Sequence, residues 1–249
     1  MIEQPADSPI RPECWADFRK DYEAVWDQVV FLRTSLYLLR TIARFPLRRF
    51  LSIDDQWFLT VVGRSLYETV VLGVTKLVTD QKGDLLTLRR YRNRVVKMVR
   101  PECETEYRSQ LDATALDRGT EALALRARDF RDGHVAHLRM EDVRKETTDT
   151  LVLDELERLV NDTERLFQPL SFGASASFLP PVYDPSVRAA NTPKKTDIER
   201  ILEFLASESW VLNEPENHPR TWPVTKAKMS AEELAVMNEW RVRLGKPSA

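Results

Sequence analysis

Glycine, cysteine and histidine are scarce in this 249-residue chain, which has seven, two and three of them. So few glycines exclude a turn-rich sandwich or barrel, and phosphate loops built on several glycines. Cys14 and Cys103 lie far apart in the chain. They exclude a disulfide scaffold and lack the clustering of a zinc site. Charge of one sign is not in excess either. The 37 Lys and Arg nearly balance the 39 Asp and Glu, for a formal net charge of -2. That excludes a uniformly basic, histone-like nucleic-acid binder but leaves room for a local basic patch. The first residues, Met1 to Asp7, have no basic region followed by an apolar run, so no signal peptide is expected. The longest apolar stretch, Trp57 to Val78, is interrupted by Arg64, Glu68 and Lys76. Each such charge is costly in lipid, so a buried core helix is expected rather than a membrane span. The expected address is cytoplasmic, with no membrane partner.

What the chain does have is helical periodicity. Phe18, Tyr22, Val25, Val29, Leu32, Leu36 and Leu39 recur at spacings of three and four. They form one apolar stripe on a long helix from Trp15 to Phe45, which Pro46 ends. Ser52 followed by Asp54 and Asp55 reads as an N-cap with acids in the first turn. The helix it opens is expected to run to about Thr79. A polar break at residues 80–84 predicts a turn, and a helix from about Leu85 to Val99 follows it. Another is expected from about Glu102 to residue 137, broken near Gly119 or Gly133, and one more from Thr148 to Phe167. Long helices joined by short loops predict an all-α, up-and-down bundle.

Composition changes near Pro169, and nine of the 14 prolines fall from Pro169 to the C-terminus. Three parts are therefore expected: a helical bundle over residues 1–168, an extended arm over 169–195, and a small helical extension over 196–249. Thr196-Asp197 and the capping-box string Ser230-Ala231-Glu232-Glu233 predict two short helices in the extension.

His218 lies in a loop-like setting, Glu-Asn-His-Pro-Arg. His134 and His137 sit in Arg128-Asp129-Phe130-Arg131-Asp132-Gly133-His134-Val135-Ala136-His137-Leu138-Arg139. Two histidines three residues apart share a helix face, but a metal site needs a third or fourth ligand; none is evident nearby, with Asp132 or a distant Glu the remaining candidates. No metal or other cofactor is expected. No serine or cysteine is placed by a nucleophile signature. Phosphodiester chemistry on RNA fits the residue types better. Histidine moves protons near neutral pH. Arginine stays charged and matches phosphate oxygens. The ribose 2'-hydroxyl supplies the nucleophile. On an ideal helix Arg131 and His137 stand about 9 Å apart along the axis and about 120° around it. Gly133 between them is a point of distortion. A two-fold dimer offers another way to gather both groups into one cleft.

The string Arg131 to His137 resembles the Arg-polar-x-x-x-Ala-His motif of the HEPN superfamily, and is closest to its abortive-infection branch. Val74 to Asp80 with Leu85 to Arg90 is similar to a second stretch of that branch, so the resemblance covers roughly residues 15 to 168. It implies a helical bundle that dimerises, and a metal-independent endoribonuclease of a toxin or phage-defence system. RNA would be the substrate, with a second copy and an antitoxin or other protein as partners. Arg131 would bind phosphate, His137 would act as acid or base, and Asp132 would orient one of them. His134, at a variable position, has an open role. Arg128-Asp129 with His134 repeats the same spacing. The Ala136-His137 pair favours the Arg131 register. Arg89, Arg90, Arg92, Arg94 and Lys97, with Arg128 and Arg139, are the candidate RNA-binding cations. The alternative is a non-catalytic helical module that binds a protein or nucleic acid. In it, Arg131, Asp132 and His137 form a polar network that fixes packing.

Overall fold

A computed structural model of the chain describes residues 8–45, 51–79, 86–113, 118–135, 151–170 and 196–248. Its described elements are helices, joined in one place by an isolated antiparallel bridge between Ile10 and Val99. The all-α expectation holds. In order, the helices are α1 (Trp15–Ala43), α2 (Ile53–Val78), α3 (Leu88–Val96), α4 (Glu104–Ala113), α5 (Arg118–Phe130), α6 (Leu153–Phe167), α7 (Asp197–Ser207), α8 (Trp210–Asn217), α9 (Trp222–Ala227) and α10 (Ala231–Arg243). A π-helical turn, Arg131–Val135, continues α5. The chain divides into two compact units: residues 1–37 with 66–188, and residues 38–65 with 189–249.

In the first unit the apolar stripe of α1 is the core. Phe18, Tyr22, Val25, Val29, Leu32 and Leu36 are all buried, as their spacing predicts. Burying one such side chain stabilises by about 1.5–3 kcal/mol relative to exposure. The aromatic end of the stripe meets α3 and α6. The Tyr22 and Phe167 rings stack with centroids 5.2 Å apart, and Tyr91 lies 6.0 Å from Phe167. Buried Tyr91 donates its hydroxyl to the Leu170 carbonyl at 3.0 Å. Burial pushes its pKa far up and that of Tyr22 to about 12, so both stay neutral phenols. On α6, Leu156, Leu159, Val160, Thr163 and Phe167 form the inward face. Arg33 of α1 reaches Asn161 at 2.7 Å and Glu164 at 2.5 Å on α6, which fixes the register of those helices. Thr87 caps α3 by accepting from the Arg90 N–H.

The second unit has its own core: Leu39, Ile42, Phe45, Leu51, Leu59, Leu202, Ala206, Leu212 and Met237 are buried. Phe45 meets Trp240 edge-on, centroids 4.8 Å apart. Arg241, 1% exposed, donates to the Pro247 carbonyl at 2.8 Å and to the Leu212 carbonyl, and pairs with Glu216. Gly245, at φ 74°, ends α10 in the left-handed conformation. The Gly245 and Lys246 N–H groups then satisfy the Val242 and Arg241 carbonyls. Capping boxes open α7 at Thr196 with Glu199 and α10 at Ser230 with Glu233.

Several boundaries differ from expectation. The predicted helix from Leu85 to Val99 is shorter, Leu88–Val96, and ends in a turn that bridges to Ile10. Ser52 caps α2 as predicted, accepting from the Asp55 N–H at 3.2 Å. The expectation of a core helix from Trp57 to Val78 needs correction in its first half. Val70, Val71, Val74 and Leu77 are buried, but Trp57 is 66% exposed, and Ile53, Phe58 and Val61 are exposed too. Apolar composition signals a tendency to be covered, without naming what covers each face. Among the described residues α2 is long and apolar enough to cross a membrane, with a mean hydropathy of 1.2 over its richest window, and 28% of that window is buried. The extension holds α8 and α9 beside the two capped helices foreseen. The turn at residues 80–84 and nearly all of the arm at 169–195 lie outside the described residues.

Candidate functional site

The site is built where α5 changes its winding. Ala124 and Ala127 are buried, and their small side chains let α5 lie close to its neighbours. Arg126 pairs with Glu155 of α6 at 2.7 Å, and Thr120 donates its hydroxyl to Asp162. Phe130, the last α-helical residue, meets Tyr67 of α2 edge-on with centroids 5.6 Å apart. The Tyr67 hydroxyl donates to the Leu151 carbonyl at 2.9 Å, so one side chain ties α2, the end of α5 and the start of α6. Burial raises the Tyr67 pKa, with the backbone bond opposing it.

Beyond this anchor the chain takes the π turn Arg131–Val135, with Gly133 buried inside it. The wider i→i+5 winding changes the direction in which successive side chains project. The expected distortion at Gly133 takes this form. Arg131 is held by its neighbour in sequence. Its Nε donates to Asp132 Oδ1 at 2.8 Å, and a terminal nitrogen lies 2.7 Å from the same oxygen. The other carboxylate oxygen of Asp132 faces Arg128 Nε at 3.7 Å. Asp132 thus sits between two guanidiniums.

Arg131 opens onto a cleft of about 350 Å³. Its walls are Gln28, Phe31 and Leu32 of α1 and Thr69, Leu72, Gly73 and Lys76 of α2. The spacings i, i+3, i+4 on α1 and i, i+3, i+4, i+7 on α2 are those of single helix faces. The helices come close at Gly73, where an added Cβ would lie 2.5 Å from Leu32 Cδ2. Arg131, its side chain 14% exposed, is the cation at the inner wall, and exposed Lys76 is a second.

The remaining expected site residues fall as follows. His137 and Arg139 lie outside the described residues, and His134 contributes its backbone to the π turn. Of the basic run, Arg94 pairs with Asp21 of α1 at 3.0 Å, and Arg89 and Lys97 are exposed. Burial raises the Asp21 pKa, with Arg94 opposing. Among the described residues no group of three or more His, Cys, Asp and Glu gathers around one point. Reading the sequence missed Phe31, Gln28, Lys76 and Gly73. The available signal was Gly73, in the interior of an apolar helix, where glycine marks a close approach.

The helical bundle is a HEPN-type abortive-infection module. The chain belongs to the AbiU2 family of that class: the HEPN_AbiU2 family model matches residues 16–191, most of the chain. Comparison with curated proteins and with solved structures gives no match.

Proposed function

We propose that the chain is a metal-independent endoribonuclease acting as a toxin or phage-defence effector. The observation that carries this is Arg131, clamped by Asp132 in a π turn and opening onto a cleft that also holds Lys76. A guanidinium held in one orientation is suited to a phosphate that gains charge as a pentacovalent species forms. In this reading the 2'-hydroxyl attacks the adjacent phosphorus and the 5'-oxygen leaves. His137 withdraws the hydroxyl proton or protonates the departing oxygen. The products are a 2',3'-cyclic phosphate and a 5'-hydroxyl end. Two copies related by a two-fold axis would bring both arginines and both imidazoles to one cleft. Arg89, Arg90, Arg92, Arg94, Lys97, Arg128 and Arg139 would track the RNA backbone.

The test is cleavage of RNA in EDTA by the wild-type protein and by the Arg131→Ala and His137→Ala variants. Loss of a general acid or base costs about 10²–10⁴-fold. Wild-type cleavage in chelator, lost in both variants, supports the proposal. Equal rates in all three proteins overturn the site assignment.

A further inference from the structure

We propose that the cleft between α1 and α2 is a base-binding subsite. One unstacked base of single-stranded RNA lies on the Phe31 ring, Gln28 reads its edge, and the flanking phosphate sits between Lys76 and Arg131. This rests on the ribonuclease reading and deepens it by saying what positions the substrate. Four observations converge. The cleft volume, about 350 Å³, lies within the usual range for small-ligand sites. Phe31 leaves a large aromatic face 55% exposed at its wall, although the rest of its helix buries its apolar stripe. Exposed aromatic faces are the platforms on which unpaired bases stack. Gln28 offers both a donor and an acceptor, which suits a base edge. Lys76 and Arg131 lie on the walls of the same cleft and supply positive charge beside an apolar floor of Leu32, Leu72 and Gly73. Gly73 lets α2 come close to Leu32 at that floor, because a Cβ there would displace Leu32. An apolar slot alone would take any hydrophobic group. Joining an aromatic platform, an amide and two cations selects a flat heterocycle linked to an anion.

The experiment measures affinity for a single-stranded oligoribonucleotide at fixed salt, using His137→Ala protein so that the probe stays intact. It is compared with the same protein carrying Phe31→Ala, Phe31→Leu, Phe31→Trp or Gln28→Leu. Thermal melts check the fold of each; Phe31 is exposed, so its replacement leaves the core intact. Phe31→Ala and Phe31→Leu are expected to weaken binding roughly 5- to 100-fold, with Phe31→Trp restoring it. Gln28→Leu should reduce discrimination among bases. In otherwise wild-type protein, Phe31→Ala should raise KM while kcat changes little. Wild-type binding by Phe31→Leu would show that no stacking occurs and would overturn the subsite. Unchanged affinity in Phe31→Ala would do the same, even if wild-type protein cleaves RNA. A wild-type protein that cleaves nothing but binds RNA through Phe31 would overturn the ribonuclease reading and leave the subsite standing.

Discussion

Two arginines, one in each unit, show how the same side chain serves different ends. Arg241 is almost wholly buried and binds groups distant in sequence: the Leu212 and Pro247 carbonyls and the Glu216 carboxylate. Its fork holds α8, α10 and the C-terminal segment in one arrangement. Arg131 is also largely enclosed, but its clamp is the adjacent residue, Asp132, and it forms part of a cleft wall. A clamp made by a sequence neighbour fixes orientation within a single turn. The first arginine serves stability, and the second is the one to which the proposed function gives a role in chemistry.

The largest effect expected from this contrast is on activity. Arg131→Ala should lower RNA cleavage by 10²-fold or more, in the range typical of losing one charge-stabilising donor. It should move the melting temperature less than Arg241→Ala does, since the Arg131–Asp132 pair is part-exposed whereas Arg241 is 1% exposed. A calorimetric scan beside a cleavage assay reads both. Arg241→Ala should do the reverse. It leaves buried carbonyls without a donor and a cavity in the second unit, at a cost of about 2–4 kcal/mol read by denaturant unfolding. Cleavage per folded molecule should stay unchanged. If both variants lost stability equally, the contrast would collapse.

A pair of glycines sharpens it further. Gly73→Ala forces Leu32 to move and should destabilise the first unit by about 1–3 kcal/mol, less the gain in helix propensity. Gly63 has Ile42 at 3.9 Å as its nearest neighbour, which is ordinary contact. Gly63→Ala should therefore stabilise by about 0.5–1 kcal/mol. Melts of the two variants should shift in opposite directions.

The smallest effect is on pH dependence, where the units differ in sign. The hydrogen bond from Arg241 lowers the Glu216 pKa below its ordinary 4.5. That contribution is complete above 4.5 and is lost as pH falls through the lowered value. Glu216→Gln should flatten this acid-side loss only slightly, because the carboxylate is 44% exposed. Asp21 is shifted the other way by burial, from its ordinary 3.8 upward. Its native state holds the proton more tightly, so stability falls as pH rises from 3.8 through the raised value. Asp21→Asn should remove that fall. Stability curves of both variants across the acid range separate the two signs.

The stripe on α1, the Ser52 cap, the capping boxes at Thr196 and Ser230, and the distortion at Gly133 were all legible in the chain, because each depends on residues within one or two turns. Arg131 and Asp132 stood out through the resemblance of their string to a family motif rather than through local pattern. The cleft was not legible. Its walls bring residues 28, 31 and 32 of α1 to the same cleft as 69, 72, 73 and 76 of α2, and no local pattern states which helix faces meet. The exposed first half of α2 escaped for a related reason, since hydrophobicity records a preference for burial without supplying a neighbour.

The sequence by itself determined that this chain is helical, where its strongest caps lie, and that an arginine and an aspartate share one turn. Those outcomes follow from backbone hydrogen bonding and side-chain periodicity over short range. Only the tertiary structure decided that Phe31, Gln28 and Lys76 would line the same cleft as Arg131, and that Arg241 would be used up in packing. Such choices turn on which surfaces exclude water together, a property of the assembled helices rather than of any one of them.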